Sequence, residues 1–176
     1  MIKLGAKELR TTKPSLQGLA KIKHYPIYII LDNVLDTYNV GAIFRLADAV
    51  AAQKVFLCGQ TLTPPNTKIK RASINTTEWV EWEYTRTAKE AVLKILNPKF
   101  QVIAVEQHPK SIPYTKADYR FPLAVVVGNE TYGVSKEVLE MADEIVEIPM
   151  WGVNKSLNVM VSLGIVLYQA MSECLP

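Results

Sequence analysis

Residues 148–158 place Ser156 and Asn158 behind two helix breakers, Pro149 and Gly152, and directly before a long apolar segment. From Leu157 onward, Val161, Gly164, Leu167, Tyr168 and Met171 recur at helical spacing, so the polar loop is expected to sit on the start of a helix over about 157–173. Ser156 or Asn158 could cap that helix, and the free amides of a helix start favour electron-rich ligand groups. Taken alone, the segment is equally well read as an ordinary capped helix after a turn.

Two other stretches carry comparable chemistry. Asn39, expected at the start of a helix over 39–52, has a carboxamide that can cap, donate and accept. Arg45 lies on the same helix among Ile43, Phe44, Leu46 and Ala47, where a guanidinium needs a partner, either an acid such as Asp48 or a group in a cleft. The run Gly128, Asn129, Glu130, Thr131, Tyr132, Gly133, Val134, Ser135 resembles a phosphate-gripping loop in its glycine spacing. Val134 stands where that loop needs lysine, and Glu130 would repel phosphate, so nucleoside triphosphate binding is excluded. Glu130 is instead placed to meet a cation, either a protein arginine or a charged ligand.

Other chemistries lose support. No Gly-x-Gly-x-x-Gly follows an apolar run, no serine stands in a Gly-x-Ser-x-Gly elbow, and His24 and His108 are the only histidines, so no metal centre is expected. Cys58 and Cys174 are far apart in sequence and read as free thiols of a reducing, cytoplasmic compartment. No apolar leader opens the chain and no apolar run approaches the roughly 18 residues that cross a bilayer, so no membrane association is expected. The formal charge of +3 is unevenly placed. Residues 1–25 hold Lys3, Lys7, Arg10, Lys13, Lys21 and Lys23 against Glu8, which makes a basic N-terminal arm suited to an anionic partner.

The elements that must position these groups alternate. Short apolar runs at 27–31, 55–58, 102–105, 123–127 and 145–148 have the continuous hydrophobicity of strands buried on both faces. Helical patterns fall between them at about 39–52, 87–97 and 135–142, and residues 79–84 alternate like a half-exposed strand after a turn at Pro64, Pro65 and Asn66. That alternation implies an α/β fold, a mainly parallel sheet with helices on both faces, forming one domain over residues 26–176. Ligands of such sheets bind beyond the strands' carboxyl ends, here the loops after residues 31, 105, 127 and 148.

Taken in order, Asn39-x-Gly41-x-x-x-Arg45, Gly128-Asn129-Glu130-x-x-Gly133-Val134-Ser135 and Ile148-Pro149-Met150-x-Gly152-x-x-x-Ser156-Leu157-Asn158 resemble the SpoU (TrmH-type) branch of the SPOUT RNA methyltransferases across about residues 27–173. The resemblance implies a C-terminal deep trefoil knot, a rare exception to the unknotted rule, and transfer of a methyl group from S-adenosylmethionine to a ribose 2′-hydroxyl of tRNA or rRNA. The ribose oxygen would attack the methyl carbon as the sulfonium becomes a thioether, with no metal. It also implies cofactor contacts at Val105, Gly128, Asn129, Ile148, Met150, Ser156, Leu157 and Asn158. Arg45 would stabilise charge on the attacking oxygen or act through the RNA phosphate, because its guanidinium does not lose a proton. Glu130 would hold Arg45 or its loop, and Asn39, Ser156 and Asn158 would orient ribose and cofactor.

The resemblance further implies a homodimer, and the apolar final helix supports one through its own composition. Two departures stand out: Ala51 where a glycine is frequent, and residues 72–79 in place of a small-residue pattern. The alternative function is a non-catalytic RNA-binding or assembly protein that keeps the fold.

Overall fold

A computed structural model describes residues 3–96 and 100–174. The chain runs α1 (Ala6–Leu9), α2 (Leu16–Leu19), β1 (Tyr25–Asp32), α3 (Thr37–Ala49), β2 (Ala52–Cys58), α4 (Thr67–Ser73), β3 (Trp82–Thr85), α5 (Ala88–Lys94), β4 (Gln101–Val105), β5 (Ile112–Pro113), β6 (Leu123–Gly128), α6 (Lys136–Met141), β7 (Glu144–Glu147) and α7 (Val159–Cys174). The seven strands form one sheet in the order β3-β2-β1-β6-β4-β7-β5, and every pairing is parallel.

The apolar runs form strands because both faces of the sheet are covered. Ile27, Ile29, Leu31, Val125 and Val127 pack with Val40, Ile43, Phe44 and Ala47 of α3 and with Leu163, Val166, Leu167 and Ala170 of α7. On the other face Ile30, Phe56, Val102, Ala104, Ala124 and Val126 pack with Ala88, Ala91 and Val92 of α5 and Val138 of α6. Each fully buried aliphatic side chain contributes about 1.5–3 kcal/mol of transfer free energy, which is what holds the strand ends still.

The strand order reverses direction at β1. The chain winds from β1 to β2 and β3, then returns to β4 and β6 on the other side of β1. A reversal of this kind opens a crevice at the strands' carboxyl ends, between the loops that follow Asp32, Val105, Gly128 and Glu147.

Several boundaries differ from the expected ones, each for a local reason. The helix expected at 39–52 starts two residues earlier, because the Asp36 carboxylate accepts from the Tyr38 N–H at 2.8 Å and is the cap. Asn39 is therefore the third residue inside α3, its side chain released for other bonds. The half-exposed strand expected at 79–84 is confined to β3, since Thr76–Glu78 is a 3-10 turn and Trp79 turns inward to donate to Asp48 at 2.7 Å. The helix expected at 87–97 is seen as α5, with residue 97 outside the described residues. Helix α4, capped by Asn66, and the two-residue β5 have no counterpart among the expected elements.

The N-terminal arm is folded back on the body. Asn75 donates its side-chain N–H to the Leu9 carbonyl at 2.8 Å, and Lys13 pairs with Glu78, which also pairs with Lys70 at 3.0 Å. Ile74 and Asn75 are consecutive residues with positive φ, 52° and 67°. Gly41 lets α4 close on α3: a Cβ there would lie 2.5 Å from the Ala72 Cβ and 2.7 Å from the Ile69 carbonyl oxygen.

Ala51 links α3 to β2 with φ of 48°, the left-handed region that costs an L-residue about 1–2 kcal/mol. Ala51→Gly is expected to stabilise the protein by about 0.5–1 kcal/mol after glycine's larger chain entropy is counted, raising Tm by about 1–4 °C in a thermal melt. A lowered Tm would contradict the strain assigned to that residue.

Candidate active site

The loop after β6 crosses the end of the sheet at contact distance. A Cβ on Gly128 would fall 2.1 Å from the Gly133 carbonyl carbon and 2.2 Å from the Val134 nitrogen, so the two backbones can meet only without a side chain there. Asn129 and Gly133 exchange backbone hydrogen bonds at 3.0 and 2.9 Å, and Gly133 has φ of 70°. The Asn129 side chain closes the turn inside, accepting from the Thr131 and Tyr132 N–H groups at 2.8 and 3.0 Å and donating to the Asn33 carbonyl at 2.9 Å.

Two carboxylates that the sequence motifs do not single out hold this loop from below. Asp32, at the end of β1 and 2% exposed, accepts from the Ser135 N–H at 2.8 Å, and Glu106, just after β4, accepts from the Val134 N–H at 2.8 Å. The available signal was position alone: an acid at the carboxyl end of an apolar strand, where backbone amides of neighbouring loops converge. Gln107 then donates to the Lys155 carbonyl, tying the β4 loop to the loop after β7.

The three motifs meet through one chain of side-chain bonds. Glu130 accepts from the Leu35 N–H at 3.0 Å, the Asp36 N–H at 3.1 Å and the Asn39 side-chain N–H at 3.0 Å. Asn39 accepts through its own Oδ1 from the Asn158 side-chain N–H at 2.9 Å. Asn158 Oδ1 caps α7, accepting from the Met160 N–H at 3.0 Å and the Val161 N–H at 3.4 Å. Burial pushes the Glu130 carboxyl pKa up, but the N–H donors from Leu35, Asn39 and Asp36 outweigh it and hold the group below its ordinary value.

Beside this chain lies a cavity of about 600 Å³ lined by Asn39, Val105, Gly128, Asn129, Glu130, Ile148, Met150, Ser156, Leu157 and Asn158. Every sequence-derived site residue except Arg45 is thus gathered at one place. The same wall includes Asp36, Glu106, Gln107, Glu147, Asn154 and Lys155, which the motif reading left out. Four of these wall residues with Glu130 counted, namely Asp36, Glu106, Glu130 and Glu147, are acids against the single cation Lys155.

Arg45 stands apart. It is exposed on α3, about 9 Å along the helix axis from Asn39 and turned roughly a third of a revolution from it. Neither acid considered for it within the chain meets it, and of its two expected roles Glu130 takes the second, holding the loop. Asp48 is engaged by Trp79, and Glu130 holds the β1–α3 loop rather than the guanidinium. Among the described residues Arg45 has neither an ion pair nor a hydrogen-bonded side-chain partner. It shares the outward stripe of α3 with Tyr38, Ala42 and Ala49.

A sequence profile of the SpoU rRNA methylase family matches residues 26–168. The chain is 34% identical over 164 residues to the tRNA (guanosine(18)-2′-O)-methyltransferase of Aquifex aeolicus, covering 90% of this chain and 74% of that protein. The crystal structure of the A. aeolicus TrmH/SpoU tRNA modifying enzyme superposes with a TM-score of 0.79 at 30% identity, over 96% of this chain and 81% of that one. The AdoMet-bound rRNA methyltransferase of Sinorhizobium meliloti superposes with a TM-score of 0.79 at 29% identity, over 96% of this chain but 61% of its own length. With a profile over most of its length, and with the three motifs inside the matched range meeting around one cavity, the chain belongs to the SpoU rRNA methylase family.

Proposed function

We propose that the cavity beside Asn39, Glu130 and Asn158 is where S-adenosylmethionine and an RNA ribose meet. The chain is an RNA ribose 2′-O-methyltransferase acting on tRNA or rRNA, and its relatives of known activity carry that reaction. The observation that carries the reading is the hydrogen-bonded chain Glu130, Asn39, Asn158, which joins residues from three separate sequence motifs at the mouth of a ligand-sized cavity.

The residues present fit the cofactor. Val105, Val127, Ile148, Met150 and Leu157 offer apolar edges for an adenine, and the acidic wall of Asp36, Glu106, Glu130 and Glu147 suits a ligand carrying a sulfonium and an ammonium. Bound S-adenosylmethionine supplies an electrophilic methyl group. Gly128 and Asn129 would hold it from the β6 loop, and Ser156 and Leu157 from the loop before α7. Asn39 and Asn158, whose carboxamides are fixed by one another, would orient the ribose, and alignment of this kind is worth several kcal/mol.

Arg45 would face the ribose oxygen from a second subunit. Its own cavity does not include it, while the exposed apolar residues Leu157, Val161 and Tyr168 run beside Gly164, which packs flush on Leu46 of α3. Pairing of the α7 and α3 stripes in a homodimer would bring that guanidinium to the partner's cavity, where it stabilises the developing alkoxide or contacts the adjoining phosphate. The loop after β4 bonds both the β6 loop, through Glu106, and the segment after β7, through Gln107, and this crossing of three C-terminal segments supports a trefoil knot. No described helix is long and apolar enough to cross a membrane. The unpaired Cys58 and Cys174 support a reducing cytoplasm.

Arg45→Ala is expected to slow single-turnover methylation of bound RNA by about 100-fold or more, as loss of one transition-state donor does elsewhere. Mixed and reassembled with Asn158→Ala subunits, it should recover about a quarter of wild-type activity, since half the dimers would be mixed and each would hold one intact site. An unchanged rate in Arg45→Ala removes the role, and failure of the mixture to recover removes the shared site.

The Glu130 bonds add a pH signature. A carboxyl whose folded pKa lies below its ordinary value of 4.5 stabilises the fold above that pH and loses the contribution as pH falls through the folded value. Glu130→Gln should therefore be less stable than wild type at pH 7, with the gap closing below about pH 4.5 in parallel denaturant titrations. A gap that widens on acidification would reverse the assignment.

A further inference from the structure

Among the described residues, four aromatic side chains are more than half exposed: Tyr38 at 57%, Tyr132 at 88%, Trp151 at 92% and Tyr168 at 56%. The first three sit on three different segments, and each is a chain neighbour of a residue that lines the same cavity. Tyr38 precedes Asn39, Tyr132 lies between Thr131 and Gly133, and Trp151 follows Met150. The backbones under two of them are pinned, with the Tyr38 N–H donating to Asp36 and the Tyr132 N–H to Asn129. Exposed rings next in the chain to lining residues have only two free torsions each, which makes them low-entropy anchors.

We infer that Tyr132 and Trp151 form a stacking rim that holds the bases next to the target ribose, a reading that rests on the RNA methyl-transfer assignment of the same cavity; Tyr38 lies on the α3 stripe assigned to the subunit contact. The chemistry of the mouth selects the base over the other parts of a nucleotide. Within one chain the cavity wall carries Asp36, Glu106, Glu130 and Glu147 against Lys155, so a phosphate finds no cluster of cations on that wall and is left to Arg45 of a second subunit. What can approach is a ribose whose neighbouring bases offer flat apolar faces to exposed rings. Stacking of this kind is tolerant of base identity, because every base has a π-face. The rim thus positions unstacked, single-stranded nucleotides at the cavity without reading their sequence, and these residues are positioning rather than catalytic residues.

The test uses the full chain and total RNA from cells that lack this protein. RNA is expected to quench tryptophan fluorescence in the wild type, and Trp151→Phe should abolish that quench while Trp79 and Trp82 remain. Trp151→Ala and Tyr132→Ala should each raise the RNA Kd and the KM for RNA about ten-fold, the scale of one lost base stack, with single-turnover rate at saturating RNA nearly unchanged. Trp151→Phe should keep affinity within about three-fold, since its ring still stacks. Calorimetric affinity for S-adenosylmethionine and the sedimentation coefficient should be those of the wild type in all three variants. Unchanged RNA affinity overturns the rim. So does loss of cofactor affinity, which would make the rings part of the cofactor pocket, or a changed sedimentation coefficient, which would make them subunit contacts. Wild-type protein that binds RNA with the expected quench but transfers no methyl group overturns the catalytic reading and leaves the rim standing. Wild-type protein that binds no RNA overturns both.

Discussion

The carboxamide of Asn39 is bonded on both sides, giving its N–H to Glu130 and taking one from Asn158, and the geometry of the site depends on that single side chain. Through it the β6 loop and the start of α7 are joined to one side chain of α3. Each neighbour is in turn fixed elsewhere: Glu130 by the amides of Leu35 and Asp36, and Asn158 by the first turn of α7. A buried carboxamide can serve this way because it is both donor and acceptor, and it costs little to bury once both capacities are met.

Beneath that link the backbone itself sets the limits. Gly128 leaves room for Gly133 where no side chain fits, and the carboxylates of Asp32 and Glu106 reach the amides of the same loop from β1 and β4. The loop is therefore held from three strands at once, and its turn is closed internally by Asn129. Sheet, loop and helix start behave as one unit because the Thr131, Tyr132, Val134, Ser135 and Met160 amides at their junction all have side-chain acceptors.

The apolar strands were legible in the sequence because burial on both faces leaves a continuous hydrophobic run, and the site residues were legible because glycine, asparagine and glutamate recur at motif spacings. What stayed hidden has physical causes. Asp36 rather than Asn39 caps α3, since both are good caps and only the path of the preceding loop decides between them. Asp32 and Glu106 are single acids at strand ends, and their purpose depends on a loop about 100 and 30 residues away in sequence, respectively. The direction of Arg45 was also out of reach: its apolar sequence neighbours line the core side of α3, whereas the residue itself falls on the outward stripe.

The joints between the three motifs are made by carboxamides and a backbone-bonded carboxylate rather than by pairs of opposite charges. Mobile ions at 0.1 M salt largely screen exposed charges more than about 10 Å apart and weaken surface pairs, but they have little hold on short hydrogen bonds of this kind. Binding to an RNA backbone behaves oppositely, weakening steeply as salt rises. The shape of the cavity and the protein's hold on a polyanion thus answer to different conditions, so a fall in turnover at raised ionic strength would report departure of the nucleic acid from a site that keeps its form.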